Sequence, residues 1–185
     1  MSAGAIIVLA LLVFIGITIF KGVRIVPQGY KWIVQRLGKY HTTLNPGLNF
    51  VIPYIDEVAY KITTKDIVLD IPSQEVITRD NAVSVMNAVA YINLTTPEKA
   101  VYGIENYTWA IQNLVQTSLR SIVGEMDLDD ALSSRDHIKA KLKAAISDDI
   151  SDWGITLKTV EIQDIQPSHT MQAAMEAQAA AERQR

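Results

Sequence analysis

Ser133, Ser134, Asp136 and His137 carry the letters of a serine triad within one short stretch of the chain. A triad needs its imidazole flanked by the nucleophile on one side and an orienting acid on the other. Side chains within one helical turn cannot meet that demand, so the serines read better as helix caps, with Ser133 and Asp136 at capping-box spacing. Asp127, Asp129 and Asp130 resemble the opening of a calcium loop. The glycine and the bidentate glutamate of such a loop are missing at their positions, which leaves acids at a helix start. His41 and His169 are isolated, whereas catalytic zinc normally takes three protein ligands. The chain has no cysteine, which excludes disulfides, thiol nucleophiles and cysteine-bound zinc. It also has no glycine-rich phosphate loop and no H-E-x-x-H. These residues supply only weak candidates for an active site, which leaves a membrane hydrolase using His137 or an acid cluster as the least favoured alternative, and no cofactor or metal is expected.

With catalysis set aside, the apolar residues become the functional candidates. From Ala3 to Phe20 the only polar side chain is Thr18. At about 1.5 Å per residue such a helix reaches roughly 30 Å, the thickness of a bilayer's hydrocarbon core. Ile6, Ile7, Val8, Leu9, Leu11, Leu12, Val13, Phe14, Ile15, Ile17, Ile19 and Phe20 would be the anchoring side chains. No basic residue precedes the run and no small-residue cleavage site follows it, so an uncleaved anchor is expected rather than a signal peptide. Lys21, Arg24, Lys31, Arg36 and Lys39 flank its C-terminal side, which places the bulk of the chain in the cytosol by the positive-inside rule.

The net charge of −3 hides an asymmetry. Residues 21–65 hold seven basic and two acidic side chains, whereas residues 66–185 hold ten basic and eighteen acidic. The positive zone beside the anchor suits an anionic leaflet at about 1 kcal/mol per well-placed Lys or Arg. The acidic remainder argues against a nucleic-acid partner.

The elements that position these residues follow from periodicity. Val23 to Leu94 reads as β, with Tyr30, Trp32 and Val34 alternating with Lys31, Ile33 and Gln35. Tyr30, Trp32, Tyr40 and Tyr54 would be either interfacial aromatics or, as Trp32's alternation suggests, sheet core. Gly38-Lys39 and Asn45-Pro46-Gly47 are turn candidates. Leu48, Phe50, Ile52 and Tyr54 alternate beyond the second turn. They fit either a buried strand or a loop dipping into the leaflet below the anchor. Separate runs at Ile67–Ile71 and Gln74–Thr78 precede a loop at Arg79-Asp80-Asn81 and a long apolar strand, Ala82–Leu94.

From Thr96 the period becomes helical. Thr96 and Pro97 open a short helix, a second carries Ile111, Val115, Leu119 and Ile122 towards a cap at Gly124, and a third buries Ile138, Leu142, Ile146 and Ile150. A strand through Ile155 and Leu157 slips phase before Val160 and Ile162, which a bulge at Lys158-Thr159 would explain. Pro167 then opens a last, Ala-rich helix with no exit signal, so the sequence suggests a continuation beyond Arg185. Its Met171 and Met175 are the candidates for contact between subunits.

Val26-Pro27-Gln28-Gly29-Tyr30, Gln35-Arg36-Leu37-Gly38-Lys39-Tyr40, Leu44-Asn45-Pro46-Gly47-Leu48 and Pro53-Tyr54-Ile55-Asp56 resemble the start of an SPFH (band 7) domain, the stomatin, prohibitin and flotillin family. The likeness continues through Asp70–Asn81, Leu119–Gly124, Leu132–Asp136 and Trp153–Ile165, in order. The N-terminal apolar helix followed by V-P-Q-G-Y looks most like the bacterial stomatin-like (paraslipin) branch. One departure is Val85-Met86-Asn87-Ala88-Val89, where the family commonly shows V-D-G-V-like residues. The resemblance implies an α+β fold in four parts: an anchor at 1–21, a β-rich membrane-proximal lobe at 22–95, a lobe of helices packed on strands at 96–166, and the start of a coiled-coil helix at 167–185. It further implies a non-enzymatic, homo-oligomeric ring or cage that organises a membrane microdomain. A regulator of a membrane protease would have the same architecture. Membrane lipids, further copies of the chain, and an NfeD-like membrane protein or a membrane protease are the partners it implies, at a bacterial inner membrane.

Overall fold

Two kinds of sequence make two compact units, Met1–Lys65 and Asp66–Arg185, in a computed structural model that describes residues 3–167 together with Gln172, Ala173 and Glu176. The apolar run becomes one unbroken helix, α1 (Ala3–Gly22), with Lys21 in its last turn. Thr18, its one hydroxyl, returns a hydrogen bond to the Phe14 carbonyl at 2.9 Å, so that hydroxyl is satisfied by the helix's own backbone. No helix among the described residues is long and apolar enough to cross a membrane.

The rest of the first unit is β. Strands β1 (Val23–Val26) and β4 (Gly47–Phe50) pair as a two-stranded antiparallel ribbon. Strands β2 (Tyr30–Arg36), β3 (Lys39–Leu44) and β5 (Asp56–Thr63) form a second antiparallel sheet in the order β3-β2-β5. The β2–β3 hairpin turns on Leu37 and Gly38, both at positive φ, one residue earlier than the sequence suggests. Positive φ at both central residues is the backbone twist a two-residue hairpin needs. Val26, Val34, Leu44 and Val51 make the small core, with Trp32 and Val58 packed against it.

In the second unit β6 (Ile67–Ile77), β7 (Val83–Leu94) and β8 (Ile155–Pro167) form an antiparallel sheet in that order. The strands that the sequence division groups with the first lobe thus share a sheet with the last strand of the second. The two runs read as separate are one strand. Pro72 and Ser73 sit in a bulge between the Ile71–Ala88 and Gln74–Met86 pairs, on an edge strand that tolerates a residue without an N–H. The slip in β8 is a bulge as expected, where Leu157 pairs Ile92 and Thr159 pairs Tyr91. A second bulge follows at Gln163. Pro167 belongs to β8, opposite Ser84, and does not open a helix there.

Helices α2 (Pro97–Gly103), α3 (Tyr107–Gly124), α4 (Leu128–Ser133) and α5 (Arg135–Asp152) complete the unit. Helix α3 packs on β6 and α5, and α5 packs on β8. The i, i+4 stripe Ile138, Leu142, Ile146 and Ile150 is fully buried, as are Ile111, Val115 and Leu119 of α3 and Ala88, Ala90 and Ile92 of β7. Gly124 is the last residue of α3 but not a left-handed cap; Glu125 closes the helix in the right-handed region.

Candidate functional site

The first unit exposes its apolar side chains where α1 gives way to β1. Gly22 ends the helix, and its carbonyl accepts the Val51 N–H at 2.9 Å. A Cβ at Gly22 would come within 2.8 Å of the Val51 carbonyl oxygen, so this close approach requires glycine. Strand β1 starts at the next residue. Val23 pairs Phe50 and Ile25 pairs Leu48, and residues opposite one another across two strands share a face. That face is bare: Ile25 is 71% exposed, Leu48 64% and Phe50 67%. Phe20, the last large apolar residue of α1, is 84% exposed.

The turn after β4 adds to this surface. Ile52 and Ile55 are exposed, and Tyr54, also exposed, has a left-handed backbone with φ of 74°. A bulky residue at positive φ is strained and persists only when its surroundings hold it. Asp56 is what holds it. Its carboxylate accepts Arg36 Nε at 2.6 Å, Arg36 Nη2 at 3.0 Å and the Ile52 N–H at 2.9 Å. The carboxylate is 3% exposed. The Arg36 hydrogen bond outweighs desolvation and, with the Ile52 N–H, holds the Asp56 pKa at about 2. The guanidinium is stabilised as the cation in return. The Lys21 ammonium lies 5.6 Å from the Tyr54 ring centroid, and Lys61 stands 4.5 Å over Trp32.

Leu48, Phe50, Ile52 and Tyr54 are therefore all on the surface. Only the first two share a strand face, because β4 ends at Phe50 and the other two lie in the turn. Ile25 completes the patch, and local alternation could not reveal it because its neighbour on the surface is Leu48, far along the chain. The anchoring side chains Ile6 to Phe20 lie along α1 and are exposed. Met171 and Met175 lie outside the described residues.

The residues weighed for catalysis are spread over helix ends. Ser133 closes α4 and bonds back to the Asp129 carbonyl at 2.8 Å, so it does not form the expected capping box. Ser134 precedes α5 without a side-chain cap, and Asp136 and His137 are exposed in the first turn. Among the described residues no three His, Asp or Glu side chains gather around a common point. The Arg79-Asp80-Asn81 loop has a structural role that sequence reading missed. Asp80 accepts the Leu128 N–H at 3.3 Å, capping α4 in place of Asp127. Asp127 instead pairs with Arg79 through Nε at 2.9 Å and through a shorter contact from Nη2.

The geometry describes an apolar surface continuous with an apolar helix. The model of the SPFH domain / Band 7 family matches residues 24–185. An uncharacterised protein of Methanocaldococcus jannaschii is 41% identical over 165 residues, 89% of this chain and 82% of its own length. Human stomatin-like protein 2, mitochondrial, is 36% identical over 163 residues, 88% of this chain and 46% of that protein. An uncharacterised protein of Mycobacterium tuberculosis is 36% identical over 183 residues. The chain spans 48% of that mycobacterial relative's length. The match in order, over nearly all residues after α1, shows that the chain belongs to the SPFH (Band 7) family.

Proposed function

We propose that this chain is a membrane-anchored scaffold, with α1 as its anchor and the β1–β4 face as a second, shallower contact. Members of the family generally organise membrane microdomains. The observation that carries the reading is the bare face of Ile25, Leu48 and Phe50 directly beyond Phe20. Left in water, those side chains have no partner. Buried in acyl chains, each contributes about 1.5–3 kcal/mol, enough together to seat the ribbon in the interface. Lys21 and Arg24 flank them and suit anionic headgroups. Lateral assembly of many copies into a ring or cage supplies the scaffolding, with the segment around Met171 and Met175 as the contact between neighbours. An NfeD-like membrane protein or a membrane protease is the kind of cargo such an enclosure would hold.

The test separates anchor from ribbon. Leu48→Asp with Phe50→Asp in the full chain is expected to leave the protein in membranes after alkaline carbonate. It should also weaken quenching of its tryptophans by lipids brominated near the headgroup. Extraction of the unchanged chain by carbonate would overturn the anchor. Undiminished quenching in the double variant would overturn the second contact. A monomer on native gels after gentle solubilisation would overturn the assembly.

A further inference from the structure

Beside the bare ribbon face the first unit holds an open cavity of about 760 Å³. It is lined by Phe20, Val23, Arg24 and Ile25 together with Trp32 and Asp56, Glu57, Val58 and Lys61 of β5. A volume of this size is that of a small-molecule site, and its lining is mixed in a particular way. Two cations, Arg24 and Lys61, share it with two acids, Asp56 and Glu57. Asp56 is taken by Arg36 and the Ile52 N–H. Arg24 and Glu57 form no ion pair among the described residues. A positive and a negative side chain, neither in an ion pair, therefore line one cavity together with the apolar Phe20, Val23 and Ile25.

We propose that this cavity binds the zwitterionic headgroup of a phospholipid, and specifically one ending in a primary ammonium, phosphatidylethanolamine. The proposal rests on the membrane-anchored reading above, which puts the end of α1 at headgroup depth. The phosphate meets Arg24, whose planar fork suits its oxygens, with Lys61 as the second cation. The ammonium donates to the Glu57 carboxylate. Phe20, Val23 and Ile25 meet the start of the acyl chains. A quaternary ammonium is the poorer fit, because it cannot donate hydrogen bonds to Glu57 and because the Trp32 face it would need is already covered by Lys61 at 4.5 Å.

The experiment uses the full chain in detergent, given an equimolar mixture of dioleoyl phosphatidylethanolamine and dioleoyl phosphatidylcholine, with bound lipid read by native mass spectrometry. Phosphatidylethanolamine is expected to be retained about tenfold over phosphatidylcholine, a difference of about 1.4 kcal/mol. Glu57→Gln should abolish the preference without lowering total lipid, Arg24→Gln should lower both lipids, and Arg24→Lys should recover part of the loss. Equal retention of the two lipids by the unchanged chain, or a preference that survives Glu57→Gln, would overturn the proposal. So would stronger retention of dioleoyl phosphatidylglycerol, which would make the site anionic-selective. Displacement of the lipid by equimolar soluble phosphoethanolamine would assign the site to a soluble compound instead. Carbonate-resistant membrane association of the same variants shows separately whether the anchoring reading stands.

Discussion

The Asp56 carboxylate, 3% exposed, takes Arg36 Nε at 2.6 Å and the Ile52 N–H at 2.9 Å, and so ties the end of β2 to the turn that carries Tyr54. The pair joins Arg36 and Asp56 across their own β2–β5 register position. It lets a strained Tyr54 stay in place without glycine.

Asp56→Asn keeps the shape and removes the charge. The expected loss is about 1.5–3 kcal/mol, the range for a hydrogen bond with a charged partner. The pH dependence follows from direction. Asp56 has a folded pKa lowered to about 2, so its contribution is present above the ordinary carboxylate range and is lost as pH falls from about 4 towards 2. Thermal unfolding of the two proteins should therefore differ at neutral pH and converge at low pH. A difference that grew on acidification would contradict the assignment. Limited proteolysis should also cut the Ile52–Ile55 turn faster in the variant.

Asp80 is expected to matter more to α4 than the helix's own Asp127. Hydrogen exchange at the Leu128 amide should speed up in Asp80→Ala and change less in Asp127→Ala, because Asp80 is the acceptor of that amide. The Asp80 pKa is lowered, first by the Thr78 hydroxyl, so the protection should fade as pH drops through and below the usual carboxylate range. Equal exchange in both variants would remove the cap.

The contrast between these sites shows what the amino-acid order could express. The α5 stripe of Ile138, Leu142, Ile146 and Ile150 was legible because burial on one helix face repeats locally, and the bulge near Lys158 was legible because a phase slip is local too. Asp80 capping Leu128, and Ile25 facing Leu48, depend on pairings between distant segments and leave no periodic mark. The joining of the Ile67–Ile71 run to the run from Gln74 in one strand was hidden for a related reason: Pro72 and Ser73 between them fit a bulge on an edge strand, and edge position is a property of the finished sheet. Gly124 read as a left-handed cap, but α3 ends with the Glu125 N–H on the Ile122 carbonyl and the Met126 N–H on the Val123 carbonyl, with no left-handed residue needed. Asn87, where the family pattern differs, sits opposite a bulge. Its amide donates to Gln163 Oε1 at 2.9 Å and its oxygen accepts the Asp164 N–H at 3.0 Å, so the side chain fills a gap in the ladder.

Ile25→Ser combined with Leu48→Ser separates folding from membrane contact. Both residues are exposed and make no part of the Val26, Val34, Leu44 and Val51 core. The double variant should keep its unfolding midpoint, within about 0.5 kcal/mol for each exposed substitution. It should also lose part of the headgroup-level quenching of tryptophan. A large loss of stability would mean that this face is covered within the protein.

Gly154 offers the sharpest test of the second unit. It follows α5 with φ of 70°, a region that L side chains rarely adopt. Its carbonyl accepts the Thr96 N–H at 2.9 Å, so the end of α5 and the start of α2 are joined at this residue. An added Cβ would clash with the Thr96 carbonyl oxygen and lie 2.8 Å from Lys99 Cβ. Neither neighbour is the free end of a flexible side chain, and the backbone oxygen cannot move without breaking the first turn of α2. Gly154→Ala therefore combines a forbidden dihedral with a backbone clash, and about 2 kcal/mol or more of destabilisation is expected. Gly103→Ala is the control, since a Cβ there meets nothing within 4 Å and Gly103 has no positive φ. That substitution should be neutral or slightly stabilising, by up to about 1 kcal/mol, because alanine is the better helix former. Urea unfolding of the two variants decides the matter: equal midpoints would show that the α5–β8 junction relaxes freely around a side chain.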